Sequence, residues 1–193
     1  DDGWVDIGAV VRLAPIKDVK TMIYAFFELH ERLPKVRLHI MGGVDDEEYG
    51  AECHALVETL GVRDLIFTGR VNVVEYMEKL DFTILTSISE GQPLSVLESL
   101  AARRPCVTTE VGCCRELLEG APGDDFGVAG FVTPPMYRKG LADAMERMCT
   151  SRARRIEMGE RGQRRVATYF LHEQMLANYR ALYDETARAF DLS

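Results

Sequence analysis

Val5-Asp6-Ile7-Gly8-Ala9-Val10-Val11-Arg12 is a short, mostly apolar run, and residues 17–33 behind it place Val19, Met22, Ile23, Phe26, Phe27 and His30 at helical spacing. This reads as a strand followed by a helix. The unit repeats at once: Val36–Met41 is apolar and ends in Gly42-Gly43, after which Cys53, Leu56, Val57 and Leu60 form a second helical stripe closed by Gly61. Strands this apolar have no wet face, and strands that alternate with helices call for a parallel sheet covered on both sides.

Working outward, residues 65–68 read as a strand ending at Gly69, and a short helix carries Val73, Val74 and Met77. Residues 81–86 form a buried strand before Ser87, and residues 93–102 a helix with Pro93 at its first position, where a missing N–H costs nothing. Cys106–Thr109 is a fifth strand, residues 115–118 a short helix and Gly130–Thr133 a sixth strand. From Met136 the pattern is helical to the end, with breaks near Thr150 and Phe170. The expected class is α/β: a doubly wound, mainly parallel six-stranded sheet with helices on both faces and a helical carboxyl-terminal tail. Residues 1–170 form the domain and 171–193 the tail. Residues 120–127, with Pro122, Gly123, Asp124 and Asp125, are the most loop-like stretch and are expected to be mobile.

At 193 residues, 47% hydrophobic and 28% charged, the chain has the length of one domain with a real core. Its 23 Lys and Arg against 31 Asp and Glu give a net charge of −8, so a phosphate-seeking site must be a local basic spot, and a nucleic-acid sheath is excluded. Five cysteines with no C-x-x-C pair point to a reducing compartment, the cytoplasm, with Cys106 and Cys149 in the core. No apolar run approaches the length that spans a bilayer, and Asp1-Asp2-Gly3-Trp4 has none of the features of a signal peptide.

In doubly wound sheets ligands sit outside the carboxyl ends of the strands, so the residues that follow strands carry the information. Arg12 and Lys17 follow the first strand, Gly42 and Gly43 the second, Gly69 to Val71 the third, and Ser87 to Pro93 the fourth. The R-x-x-x-x-K spacing lets a guanidinium and an ammonium reach one anion, which suits a diphosphate; an ordinary surface pair bridged to Asp18 or Asp6 is the plainer alternative. The densest signal is the stretch from Ser87 to Glu98, of the form E-x7-E between Glu90 and Glu98, straddling a helix start. Free N–H groups at Leu94 and Ser95 would make an anion site there. Glu98, one turn past Leu94, can lean back toward it and accept hydrogen bonds from vicinal sugar hydroxyls, with ribose the natural candidate. Glu90 on the loop would face the group beyond the phosphates. A solvated Glu98 and a helix-capping Glu90 are the bland alternatives.

Neither a P-loop nor a dinucleotide fingerprint is present, and no D-x-D pair offers a divalent cation a seat. His30, His39, His54 and His172 stand at non-ligand spacing and read as structural or surface residues.

With these residues in place, the sequence resembles the carboxyl-terminal, donor-binding domain of family 4 retaining glycosyltransferases, which have the GT-B fold with its Rossmann-like halves. Arg12-Leu13-Ala14-Pro15-Ile16-Lys17, Phe67-Thr68-Gly69-Arg70-Val71 and Ser89-Glu90-Gly91-Gln92-Pro93-Leu94 with Glu98 carry the resemblance, continued by Arg104-Pro105-Cys106-Val107, Val111-Gly112, Glu116-Leu117 and Gly130-Phe131. Within the family, residues 14–18, 69–73 and 85–90 are most similar to an enzyme of exopolysaccharide synthesis. Two departures stand out: Val11 where a Gly often precedes the Arg, and Pro93 in place of a common Gly, which removes an N–H.

The resemblance implies a metal-independent hexosyltransferase with no cofactor and a UDP-sugar donor. Arg12 and Lys17 would bind the diphosphate, Glu98 the ribose, and Glu90 with the backbone near Gly91 and Gln92 the transferred sugar. Val71 would meet the base through its backbone, and Gly43 and Gly69 would line the same site. It also implies a growing polysaccharide as acceptor, association with a membrane synthesis complex, and an amino-terminal acceptor domain that would precede Asp1. The absence of an initiator Met fits a piece of a longer enzyme. The alternatives are a flavodoxin-like regulatory or interaction domain without nucleotide, and a UDP-sugar epimerase of the same fold.

At the end of the chain, Met175, Leu176, Tyr179, Leu182, Tyr183 and Phe190 form an apolar stripe. In GT-B enzymes the last helix crosses back to the other domain, so the stripe is expected to serve that crossing. The arginines between 152 and 165, interrupted by Glu157 and Glu160, read as a solvated face.

Overall fold

A computed structural model describes residues 3–190; Asp1, Asp2 and the last three residues of the expected tail lie outside them. Among the described residues, six strands form one sheet in the order β3-β2-β1-β4-β5-β6, every pair parallel. The strands are β1 (Val5–Val10), β2 (Val36–Met41), β3 (Leu65–Gly69), β4 (Phe82–Leu85), β5 (Cys106–Thr109) and β6 (Gly130–Thr133). The helices are α1 (Val19–Arg32), α2 (Glu47–Leu60), α3 (Val73–Met77), α4 (Leu94–Ala101), α5 (Cys114–Glu119), α6 (Arg138–Cys149), α7 (Arg152–Tyr169) and α8 (His172–Ala189). None is long and apolar enough to cross a membrane.

Parallel neighbours need crossovers, and right-handed crossovers put successive helices on one face until the winding reverses. Ile7, Leu38, Phe82 and Val107 pack with Val19, Met22 and Phe26 of α1 and with Leu141 and Met145 of α6, which returns across the sheet to lie on α1. On the opposite face Leu85 and Cys106 pack with Val96 and Leu100 of α4 and with Cys114 and Leu117 of α5. Residues that alternate along β4 and β5 thus feed two cores, which is why every residue of those strands is buried, Thr83, Thr108 and Thr109 included. Burial pushes the thiols of Cys106 and Cys149 up to about 12 and those of Cys53 and Cys114 up to about 11, so these four stay protonated near neutral pH.

Several expectations need correction. Pro93 is the residue before α4, not its first turn: its ψ of 113° is extended, and its carbonyl accepts from the Val96 and Leu97 N–H groups. The first helix starts at Val19, behind a single 3-10 turn at Pro15–Lys17. The arginines of α7 are not all solvated: Arg165 is 1% exposed and Arg155 8%. Arg165 pairs with Asp124 and donates to the carbonyls of Leu117, Leu118 and Gly127, so the segment expected to be mobile is tied to the core through a buried ion pair.

Candidate functional site

Because the winding reverses between β1 and β4, the loops leaving their carboxyl ends go to opposite faces and leave a crevice. The chain stitches these two loops together. The Ile88 N–H donates to the Ile16 carbonyl at 2.9 Å, and the Thr86 hydroxyl reaches the carbonyls of Lys17 and Asp18 at 3.0 and 3.1 Å. Asp18 sits in the left-handed region at φ 46° and caps α1 by accepting from the Thr21 N–H. The turn thus presents Lys17 toward the loop that follows β4.

Lys17 and Glu90 consequently meet across 73 residues of sequence, Nζ to Oε1 at 2.6 Å, with side chains only 20% and 15% exposed. Ser87, fully buried, donates its hydroxyl to the same Oε1 at 2.7 Å. Glu90 is therefore not the cap of α4. Arg12 finds a different acid from those expected: its Nη1 lies 2.6 Å from Asp45 Oδ2, and both side chains are largely exposed. Asp6 is taken by Arg37 and His39 instead.

A cleft of about 400 Å³ opens over the ends of β1, β2 and β3. Arg12, Lys17, Gly43 and Val71 line it, as the sequence suggested, and so does Arg70. Glycine is required at its floor because the strand ends crowd together: a Cβ on Gly42 would stand 2.0 Å from the Val11 carbonyl oxygen. The Gly42 N–H donates to the Gly69 carbonyl at 2.9 Å and the Gly43 carbonyl accepts from Leu13 at 3.0 Å, so Gly69 supports the floor from behind.

At the other side of the crevice, the N–H groups of Leu94 and Ser95 have no partner among the described residues, which leaves the start of α4 open to an anion. Gly91 and Gln92 are exposed on the preceding loop. Gln92 and Leu94 also edge a separate groove of about 570 Å³ shared with Tyr169, Met175 and Tyr179. Glu98 is exposed on α4, lines neither space and pairs with no described residue.

Sequence reasoning gave no role to Ser87, Asp45, Arg70 or Gly112. Gly112 is at φ 50°, and a Cβ there would stand 2.1 Å from the Gly91 carbonyl oxygen, which accepts from the Cys113 N–H at 3.0 Å. Its close approach sets the shape of the Glu90-Gly91 loop. Arg70 carried a signal, since it follows a strand end as Arg12 does. Asp45 carried none, because its partner is distant in sequence, whereas Ser87 stands three residues before Glu90, a local spacing that a reading of the loop could have used.

Residues 5–151 match the family of group 1 glycosyl transferases. The chain belongs to that family. A curated relative, N-acetyl-alpha-D-glucosaminyl L-malate synthase of Bacillus anthracis, is 26% identical over 175 residues, covering 90% of this chain and 43% of its own. Anabaena Alr3699/HepE, solved in complex with UDP and glucose, superposes with a TM-score of 0.79 at 22% identity, over 93% of this chain and 48% of that one. The carboxyl-terminal domain of the group 1 family protein LpcC from Francisella tularensis superposes with a TM-score of 0.76 at 20% identity, over 87% of both chains. The chain spans less than half the length of the curated glycosyltransferases it matches. Its sheet is the Rossmann-like sheet of GT-B glycosyltransferases, and membership of this family displaces the flavodoxin-like alternative.

Proposed function

We propose that the chain is the donor-binding half of a retaining, family 4 hexosyltransferase that takes a UDP-sugar and serves exopolysaccharide synthesis. In this reading the stretches at residues 14–18, 69–73 and 85–90 look like those of PelF, which makes Pel exopolysaccharide. The observation that carries the reading is the convergence of Lys17, Glu90 and the open start of α4 at the switch point of the sheet, beside a cleft lined by Arg12 and Arg70.

In this reading the diphosphate lies between Lys17, Arg12 and the N–H groups of Leu94 and Ser95. The base reaches the backbone at Val71, over the floor made by Gly43 and Gly69, and Glu98 takes the ribose. Glu90, with Gly91 and Gln92, holds the sugar. Transfer breaks the bond between the anomeric carbon and the diphosphate oxygen and forms one to an acceptor hydroxyl, so negative charge grows on the leaving phosphate. Fixed donors and cations that face this charge lower the barrier without a metal ion. UDP and glucose in HepE support the donor class.

The acceptor, a growing polysaccharide, would be held by an amino-terminal domain that α8 crosses back to meet, in a cytoplasmic enzyme associated with a membrane synthesis complex. The apolar stripe of α8, from which no residue is buried, supports that crossing. Orienting the acceptor accounts for roughly 7 to 11 kcal/mol of such a barrier, so this chain alone is expected to bind donor and transfer nothing. Calorimetry with UDP, ADP, GDP and their sugar conjugates tests the reading. Binding of UDP and UDP-sugars in preference to the others supports it; binding of none contradicts it.

A further inference from the structure

We infer that Ser87 is the positioning residue of the donor site, holding Glu90 in place while a diphosphate takes Lys17 away from it. The inference rests on the proposed nucleotide-sugar reading and adds to it an exchange of partners at Lys17.

Two donors converge on a single oxygen of Glu90: Lys17 Nζ at 2.6 Å and Ser87 Oγ at 2.7 Å. The other oxygen, Oε2, has no partner among the described residues. Lys17 is therefore already paired, and a phosphate must win it from a carboxylate. A half-buried carboxylate stripped of the cation that pairs with it and left without donors is costly, because its desolvation is no longer offset.

Ser87 is built to prevent that. Its side chain is fully buried, and its own carbonyl is fixed by the Thr109 hydroxyl at 2.6 Å. Thr86, the residue before it, holds the carbonyls of Lys17 and Asp18. The hydroxyl thus stays where it is while the lysine side chain, which has four rotatable carbons, swings to the ligand. Glu90 then keeps Oε1 on Ser87 and turns Oε2 to the sugar. Nucleotide and sugar are coupled through this carboxylate: the phosphate frees it, and Ser87 keeps it aimed.

A double-mutant cycle on this chain tests the exchange, read by calorimetry with UDP, or with ADP or GDP should the parent prefer one of them. Ser87→Ala is expected to weaken nucleotide binding by roughly three- to ten-fold when Glu90 is present. In the Glu90→Ala background the same change should have no effect. Ser87→Cys, which keeps volume but donates weakly, should fall between parent and Ser87→Ala. A Ser87→Ala loss of equal size in both backgrounds makes Ser87 a structural residue and overturns the inference, as does unchanged binding in both. A parent that binds none of the three nucleotides overturns the nucleotide-sugar reading as well, whereas the first two results leave it standing.

Discussion

Helices α7 and α8 follow one another and have the same length of 18 residues, yet they sit in the molecule in opposite ways. The arginine-rich α7 buries Arg155, Met158, Gly159, Gly162 and Arg165; α8, the less polar of the two, buries nothing. A stripe records what a helix can cover, whereas burial records what this chain offers it. For α7 the offer is polar: the carbonyls that end α5 and the Asp124 carboxylate accept from Arg165, and Asp81 with the carbonyls that end α6 accepts from Arg155. Arginine suits such places because its fork of five donors can satisfy several fixed acceptors at once.

The largest expected effect breaks the buried side of this contrast. Arg165→Ala leaves Asp124 and three carbonyls without their donor and should cost about 3 to 5 kcal/mol of stability in urea denaturation. A loss under 1 kcal/mol would mean that the arginine is solvated after all. Next, Gly159→Ala should destabilise by about 1 to 3 kcal/mol, because its Cβ would stand 2.2 Å from the backbone carbonyl oxygen of Arg103.

The same ion pair predicts an acid limb. The Arg165 guanidinium beside Asp124 holds its carboxyl below the ordinary value of 3.8. A carboxyl lowered on folding adds stability that is complete above the unfolded value and is lost as pH falls through the folded one. Stability of the parent should therefore drop more steeply below about pH 4 than that of Asp124→Asn, as urea midpoints across pH would record. Parallel curves would sever the pH dependence from this pair.

The contrast between sheltered and exposed ions recurs in the cleft. Lys17→Ala should weaken UDP binding roughly ten- to a hundred-fold, as loss of a sheltered charge-assisted contact does. Arg12→Ala, at an exposed pair, should weaken it only about two- to five-fold. The reverse order would put the diphosphate nearer the end of β2 than proposed. Smallest of all, Tyr179→Ser on α8 should change the stability of this chain by no more than about 0.5 kcal/mol in the same urea assay. A loss above 2 kcal/mol would show that the stripe is covered within the chain.

What the sequence made legible follows from the range of the interactions involved. All six strands and their order of appearance are readable because each is a short run rich in apolar or β-branched residues between turn signals, and Val36–Met41, Cys106–Thr109 and Gly130–Thr133 carry the expected boundaries to the residue; the expectation that no strand has a wet face fails at the edge strand β3, where Ile66 is 41% exposed. Helix starts were less legible: the backbone leaves the 3-10 turn at Asp18 in the left-handed region, and Pro93 turns extended where its fixed φ would equally have allowed a helix. In the site, the cations and the E-x7-E pair are local patterns and were visible. The partner choices were not. Arg12 goes to Asp45 rather than Asp6, and Lys17 to Glu90, because the fold and not the spacing brings those atoms together. Asp124 looked like part of a loose loop for the same reason, since its partner lies 41 residues further on.

An amide NMR titration with UDP tests the place of the donor site most directly. The molecule offers a rival location: a cavity of about 530 Å³ around Asp6, Asp81, Arg103, Arg104 and Arg155, at the opposite end of β1 and β4. The resonances expected to shift are those of Arg12, Lys17, Gly43, Arg70, Val71 and the 90–95 stretch, while Arg103 and Arg104 stay still. Shifts concentrated at Asp6, Asp81, Arg103 and Arg104, with Lys17 and Glu90 unmoved, would contradict it.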